Sequence, residues 1–336
     1  MNGWMLRAAT SADLPTLTRL LPSWELERAS FVEEDSDSLL LLAFPVPAAA
    51  AEQAPLACLQ LRRQIGSSQP RYWYHLGLVV HAAADLGLNR RERTLLLGND
   101  LTGASELADF AVDREAATPT QQRELPAVMV RAALLLLYRD WQLHAETGAQ
   151  PPKVIAAVPG RRDAGGNSPF WQGLGRHFFA GDVAQAQARF GLLWQTHVAA
   201  LLPRHPLVVS ILHESAQAAI GAVDAAAMPW CDALRRAGLR AGQHLSLDDA
   251  GPVYEAPIDL LPCTGAVGRY PLDLGTGFGA KRPGPMLLTA DQGNVVCLAI
   301  AAFREDGQLS LSAEQAELFG LQDLRQVWAM STDHAG

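Results

Sequence analysis

The sequence predicts an α+β fold, a run of antiparallel strands followed by one long, largely buried helix. Two apolar runs, 38–46 and 56–65, flank the Ala- and Pro-rich piece PVPAAAAEQAP, as two antiparallel strands joined by a surface loop would. Residues 71–80, 94–97 and 105–112 continue the strand pattern into a meander. From 121 to 144 apolar side chains fall around most of a helix, which marks it as buried on nearly every side.

The other elements fit around these. Residues 5–8 form a short strand, and the N-cap residues Thr10, Ser11 and Asp13 open an amphipathic helix over 14–21 that Pro22 stops. After the long helix come a strand over 153–158, an exposed flexible loop over 160–166, and a helix over 170–178 capped by Ser168 with Pro169 at its first position. Beyond about residue 265 the chain turns rich in Gly and Pro, and short strands follow at 286–290, 295–303 and 327–331. The expected layout is a domain over 1–265, a Gly/Pro-rich linker over 266–285 and a small C-terminal α/β subdomain over 286–336.

With 336 residues, 49% of them hydrophobic and 18% charged, the chain has the composition of an ordinary globular protein. Its net charge is −8 and its basic residues are scattered, which argues against nucleic acid as a partner. Cys58, Cys231, Cys263 and Cys297 lie far apart without a CxxC pair, so no metal site is expected and the thiols read as reduced and mostly buried. The N-terminus lacks a basic stretch followed by a long apolar run, and Arg131 interrupts the longest apolar stretch, 125–138. A cytoplasmic location without membrane contact is the expectation. The loop Asp273-Leu-Gly275-Thr-Gly277-Phe-Gly279 matches a methyltransferase nucleotide loop, but only 57 residues follow it, too few for the rest of a Rossmann sheet.

Strand, capped helix, antiparallel strands, long helix, strand and helix is the element order of the acyl-CoA N-acyltransferase (GNAT) fold. Four blocks, LLLGNDLTGASELADFAVD (95–113), SPFWQGLGRHFF (168–179), LLPRHPLVVSIL (201–212) and AGPVYEAPID (250–259), resemble those of the arginine N-succinyltransferase family in the same order. The likeness extends to both ends of the chain. It implies a GNAT-like fold with a small C-terminal α/β appendage, and transfer of succinyl from succinyl-CoA to the α-amino group of arginine. Succinyl-CoA is then a co-substrate, with no tightly bound cofactor, and the assembly is a homo-oligomer or one containing a paralogous subunit.

The chemistry needs a base for a protonated amine and a donor for the oxyanion. The resemblance makes 105–112 the distorted strand that presents backbone N–H groups to the acyl-CoA, along Leu107, Ala108 and Phe110. Glu106 is the first choice for the base, directly or through water, and Ser105 for orienting substrate or donating to the leaving thiolate. A purely structural role for this pair stays open. Asp100, Asp109 and Asp249 are candidates for gripping a guanidinium, and His205 for contacting substrate or cofactor. Arg123, Arg161, Arg162 and Arg176 are candidates for reading the succinyl carboxylate.

The phosphate loop of the fold maps to Gln122, Arg123 and onward to Ala127, where Leu125 replaces a glycine and Pro126 removes a donor. Two more departures accompany it. A Gly- and Thr-rich loop is missing between Leu21 and Ser38, and Ala157 stands where the family carries glutamate. These leave two alternatives, a non-catalytic or regulatory subunit and an acyltransferase for another amine.

Overall fold

Residues Ser38–Val46 form a strand buried on both faces, and the fold is built outward from it. Successive side chains of a strand point to opposite faces. Leu39, Leu41 and Ala43 therefore enter one core while Leu40, Leu42 and Phe44 enter another. The computed structural model describes residues 3–22, 37–46, 54–145, 148–275, 283–304 and 306–332. Within them the strands are β1 (Gly3–Ala8), β2 (Ser38–Val46), β3 (Ala57–Arg62), β4 (Trp73–Ala83), β5 (Leu88–Gly98), β6 (Ser105–Val112), β7 (Lys153–Ala157), β8 (Leu207–Val208), β9 (Arg240–Leu245) and β10 (Pro252–Pro257). After these come β11 (Gly268–Asp273), β12 (Gly284–Thr289), β13 (Val295–Phe303), β14 (Leu309–Ser310) and β15 (Gln326–Ser331). The α-helices are α1 (Pro119–Leu143), α2 (Pro169–Gly173), α3 (Val183–Phe190), α4 (Trp194–Ala199), α5 (Glu214–Ala219), α6 (Met228–Ala237) and α7 (Ala313–Leu318).

The central part of the sheet runs β1-β2-β3-β6-β7-β10-β9-β4-β5-β8, antiparallel except where β6 meets β7. Helix α1 covers one face of β2, β3 and β6, with α6 beside it, and buries Leu125, Met129, Leu134 and Leu136 in the main core. A second core lies under α2, α4 and α5, where Phe170, Trp171 and Trp194 pack with Tyr74 and Leu95 of the β4–β5 hairpin. The outer half of that hairpin is exposed, including Leu78, Val80, Leu86 and Leu88.

Several sequence expectations need correction. The first helix is a 3₁₀ segment, Ser11–Arg19, because Pro15 inside it has no N–H to donate. Its Asp13 accepts both Nη groups of Arg7 at 2.7 Å. The 170–178 helix breaks into α2 and a 3₁₀ turn, and within that turn Gly175 lies so close to Trp171 that a Cβ would come within 2.2 Å of its ring. The stretch 266–285 is not only a connector, for β11 lies in it and pairs with β15.

The C-terminal strands close on one another in the order β12-β15-β11-β14-β13, with β12 also pairing with β13. This unit is mostly β, with α7 its one described α-helix, and β13 joins it to β1 of the main sheet. The PVPAAAAEQAP connection lies partly outside the described residues, as do Gly277, Gly279 and most of the stretch between Leu21 and Ser38. Among the described residues no helix is long and apolar enough to cross a membrane.

Candidate active site

Strand β6 organises the site. It pairs with β3 from Glu106 to Val112, but with β7 only at Ser105 and Glu106. Opposite Cys58 and Gln60 stand Ala111 and Ala108, so β6 carries one residue more than β3 across this step. Asp109 takes up the extra length with φ of 47°, a left-handed conformation that non-glycine residues adopt at a cost. Where β6 and β7 part, a cavity of about 1630 Å³ opens. Leu107, Ala108 and Phe110 line it from β6, and Ala157 lines it from β7. Beyond the bulge, Phe110 is stacked on Trp230 of α6 with ring centroids 4.9 Å apart, which pins the end of the strand.

Glu106 is 2% exposed and lies against two guanidiniums. Arg71 donates from Nη1 and Nη2 to its two carboxylate oxygens at 3.1 and 3.0 Å, and Arg62 donates from Nη1 at 3.1 Å. Burial pushes this carboxyl up, but the charges of Arg71 and Arg62 outweigh it and hold it below its usual range. A carboxylate paired in this way is a poor proton acceptor and a good anchor. Arg62 also donates to Gln60 at 2.9 Å and to Asp109, while Arg71 Nε donates to Gln195 at 3.0 Å.

The turn between β9 and β10 brings Asp248 and Asp249 to the cavity. Asp249 accepts Gly251 N–H at 2.9 Å on one oxygen and Gly160 N–H at 2.8 Å on the other. It thus ties the end of β7 to this turn, and its carboxylate is already engaged. The backbones approach so closely that a Cβ on Gly160 would lie 2.3 Å from the Asp249 carbonyl oxygen. Gly160→Ala is therefore expected to lower the melting temperature, a loss that thermal denaturation followed by circular dichroism will show. Arg162 Nη2 stands 3.6 Å from Asp248 and 3.7 Å from Asp249.

Helix α1 starts earlier than the sequence suggests, at Pro119, with Thr118 and Gln121 forming a capping box. Residues 122–127 are therefore helical and not a loop, and Gln122 N–H is spent on Thr118 O at 2.9 Å. The turn before the helix is also taken. Asp113 Oδ1 accepts the N–H groups of Glu115 and Ala116 at 3.1 and 3.0 Å, filling with a carboxylate the kind of amide nest that binds phosphate.

Of the residues singled out from the sequence, Glu106, Leu107, Ala108, Asp109, Phe110, Gln122, Arg123 and Asp249 all line the cavity. Four do not. Ser105 is buried at the paired start of β6, and Ala127 packs against the main core. Asp100 turns away to His244 Nε2 at 2.9 Å, and His205 is exposed at a bend. Among the candidate arginines only Arg123 reaches the cavity wall. Sequence reasoning missed Arg62, Arg71, Asp224 and Asp248. A charged residue inside the apolar run 56–65 was the one signal for Arg62. Among the described residues no group of three or more His, Cys, Asp or Glu side chains could hold a metal ion.

A strand pair that parts into a cavity lined by fixed charges is the architecture of an enzyme for small polar substrates. A family model described as arginine N-succinyltransferase beta subunit matches residues 44–262. The arginine N-succinyltransferase subunit beta of Pseudomonas aeruginosa is 30% identical over 294 residues, 81% of this chain and 82% of that protein. Arginine N-succinyltransferase of Salmonella paratyphi B is 33% identical over 198 residues, and the match spans 58% of this chain and 54% of that one. In fold, the chain is similar to arginine/ornithine succinyltransferase subunit AI from Pseudomonas aeruginosa, with a TM-score of 0.77, 24% identity, and coverage of 99% of this chain and 100% of that one. The chain belongs to the arginine N-succinyltransferase family.

Proposed function

We propose that this chain, an acyl-CoA-dependent N-acyltransferase, transfers the succinyl group of succinyl-CoA to the α-amino group of L-arginine. One observation carries the reading beyond family membership. Strand β6 leaves β7 after Glu106 and bulges at Asp109, so the edge of Leu107, Ala108 and Phe110 faces the cavity. A thioester and its pantetheine arm are long, narrow and rich in amides, and such an edge matches them by strand-like hydrogen bonding. A parallel pair that splays in this way, in this element order, supports a GNAT-like fold.

The charged groups sort the two substrates. Arg62 and Arg71, fixed by Glu106, are suited to reading the succinyl carboxylate with the N–H groups that Glu106, Gln60, Asp109 and Gln195 leave unused. Glu106 then serves as their anchor, and its expected role as base passes elsewhere. The turn with Asp248 and Asp249, together with Asp224, gives the opposite sign of charge, suited to a cationic amino acid. With the amides before α1 already filled, the CoA phosphates fall to side chains, of which Arg114 and Arg123 line the cavity. Arg123→Ala is expected to raise KM for succinyl-CoA by roughly tenfold with little change in kcat, as steady-state kinetics will show.

The exposed apolar half of the β4–β5 hairpin supports the expectation of an oligomer, since two-stranded ribbons are marginal in water without cover. The reading of function is tested by thiol release from succinyl-CoA with L-arginine, L-ornithine or no acceptor, followed by mass analysis of the product. Arginine-dependent release with formation of a succinylated arginine is the expected result. No turnover with any amine would overturn it.

A further inference from the structure

The cavity holds six carboxylates, and their partners separate them. Glu106 is bound to Arg71 and Arg62, and Asp109 to Arg62. Asp249 gives both oxygens to backbone N–H groups. Asp224 accepts Ala226 N–H at 2.9 Å and Arg162 N–H at 3.3 Å, and Asp37 is an exposed residue. Asp248 meets the cavity with hydrogen bonds only from the backbone N–H groups of its own turn, those of Asp248 and Asp249, and no close cation. It is half-buried, and its nearest cation, Arg162 Nη2, stands at 3.6 Å, beyond hydrogen-bond distance. Its own carbonyl receives Ser168 Oγ at 2.9 Å, and Asp249 stitches the turn to the end of β7, so the backbone that presents it is fixed.

Resting on the acyl-transfer reading above, we propose that Asp248 is the catalytic base that takes the proton from the acceptor ammonium. The ammonium gives one proton to the Asp248 carboxylate and becomes a neutral amine. The amine nitrogen forms a bond to the thioester carbonyl carbon, and the carbonyl π electrons move onto oxygen. Collapse of this adduct breaks the C–S bond, the thiolate takes the proton held by Asp248, and the nitrogen loses its second proton to water. The products are the amide, CoA thiol and one released proton.

The groups facing Asp248 suit this role. Burial and the neighbouring Asp249 push its carboxyl up to about 7, while the backbone N–H groups of Asp248 and Asp249 and the charge of Arg162 pull the other way. Burial pushes Asp249 up as well, against its two amide donors and Arg162. A base that is neutral in acid and charged above neutrality is matched to an amine substrate at physiological pH. The sign for stability is opposite to that of an ordinary ion-paired aspartate. A carboxyl raised in the folded state favours folding while protonated, and this advantage is lost as pH rises from about 4 in the unfolded chain towards about 7 in the folded one.

Two measurements on Asp248→Asn test the assignment, one of them independent of turnover. In the first, kcat is expected to fall by about 10²- to 10⁴-fold, with succinyl-CoA binding by calorimetry unchanged, and with partial recovery in Asp248→Glu. The acidic limb of the wild-type pH profile should vanish in Asp248→Asn. In the second, carbon NMR of the aspartate carboxyls should show one group titrating near neutrality that is missing from the variant, and the variant should melt higher than wild type at pH 8 but not at pH 4. A variant that keeps wild-type kcat and its acidic limb overturns the proposal, and so does a wild type without that titrating carboxyl. If the carboxyl titrates as described but no amine is acylated, the acyl-transfer reading fails, and the role of Asp248 as its base fails with it.

Discussion

Glu106→Gln is expected to destabilise the fold by about 3–5 kcal/mol, the usual consequence of breaking a buried ion pair, and to raise KM for succinyl-CoA while leaving the acidic limb of the pH profile in place. The cause is local. The amide cannot hold Arg71 and Arg62 as the carboxylate does, and two guanidiniums then face each other without their shared counter-charge. The effect depends on pH in a defined direction. Because the two guanidiniums hold the folded-state carboxyl below its usual range, its stabilisation is present above the ordinary glutamate pKa and is lost as pH falls through the folded value. The gap in melting temperature between variant and wild type should therefore close in acid. Were Glu106 the base, the variant would instead keep its melting temperature and lose the acidic limb.

Arg71→Ala is expected to lower kcat/KM for succinyl-CoA by roughly 10²-fold, and for butyryl-CoA, the uncharged donor of the same chain length, by far less. Removing one charge-assisted donor pair costs about 1.5–3 kcal/mol, and only the donor with a carboxylate has that to lose. The variant also leaves Glu106 with Arg62 alone, so part of any general loss in activity is structural. The ratio between the two donors removes this part, because both report on the same weakened fold. Parallel losses for the two donors would mean that Arg71 supports the site without reading the succinyl group.

Much of the fold was legible from periodicity. Strands β2, β6 and β13 begin and end where alternation and apolar runs placed them, and α1 was evident from its buried length. The first helix was misjudged because capping residues announce a helix without saying whether Pro15 will tighten it to 3₁₀. The site was legible mainly along β6, where consecutive residues share one strand, and beyond it at Gln122, Arg123 and Asp249. Its other half depends on pairings that sequence spacing does not carry. Arg62 stands across from Glu106 in the β3–β6 register, 44 residues away. Asp100 was expected to face substrate, but its partner His244 is 144 residues distant and draws it out of the cavity. Asp248 and Asp249 are neighbours of the same type, and what tells them apart is that Asp249 is tied to Gly160, 89 residues away, and to Gly251, while Asp248 takes N–H groups of its own turn.

The most direct test of the account is amide hydrogen exchange across β6, read with and without succinyl-CoA. Slower exchange in 107–112 on adding the donor, with the C-terminal strands unchanged, is the expected result. Exchange in 107–112 that does not respond to saturating succinyl-CoA, or protection confined to another part of the sheet, would contradict the assignment of the open strand edge as the acyl-CoA site.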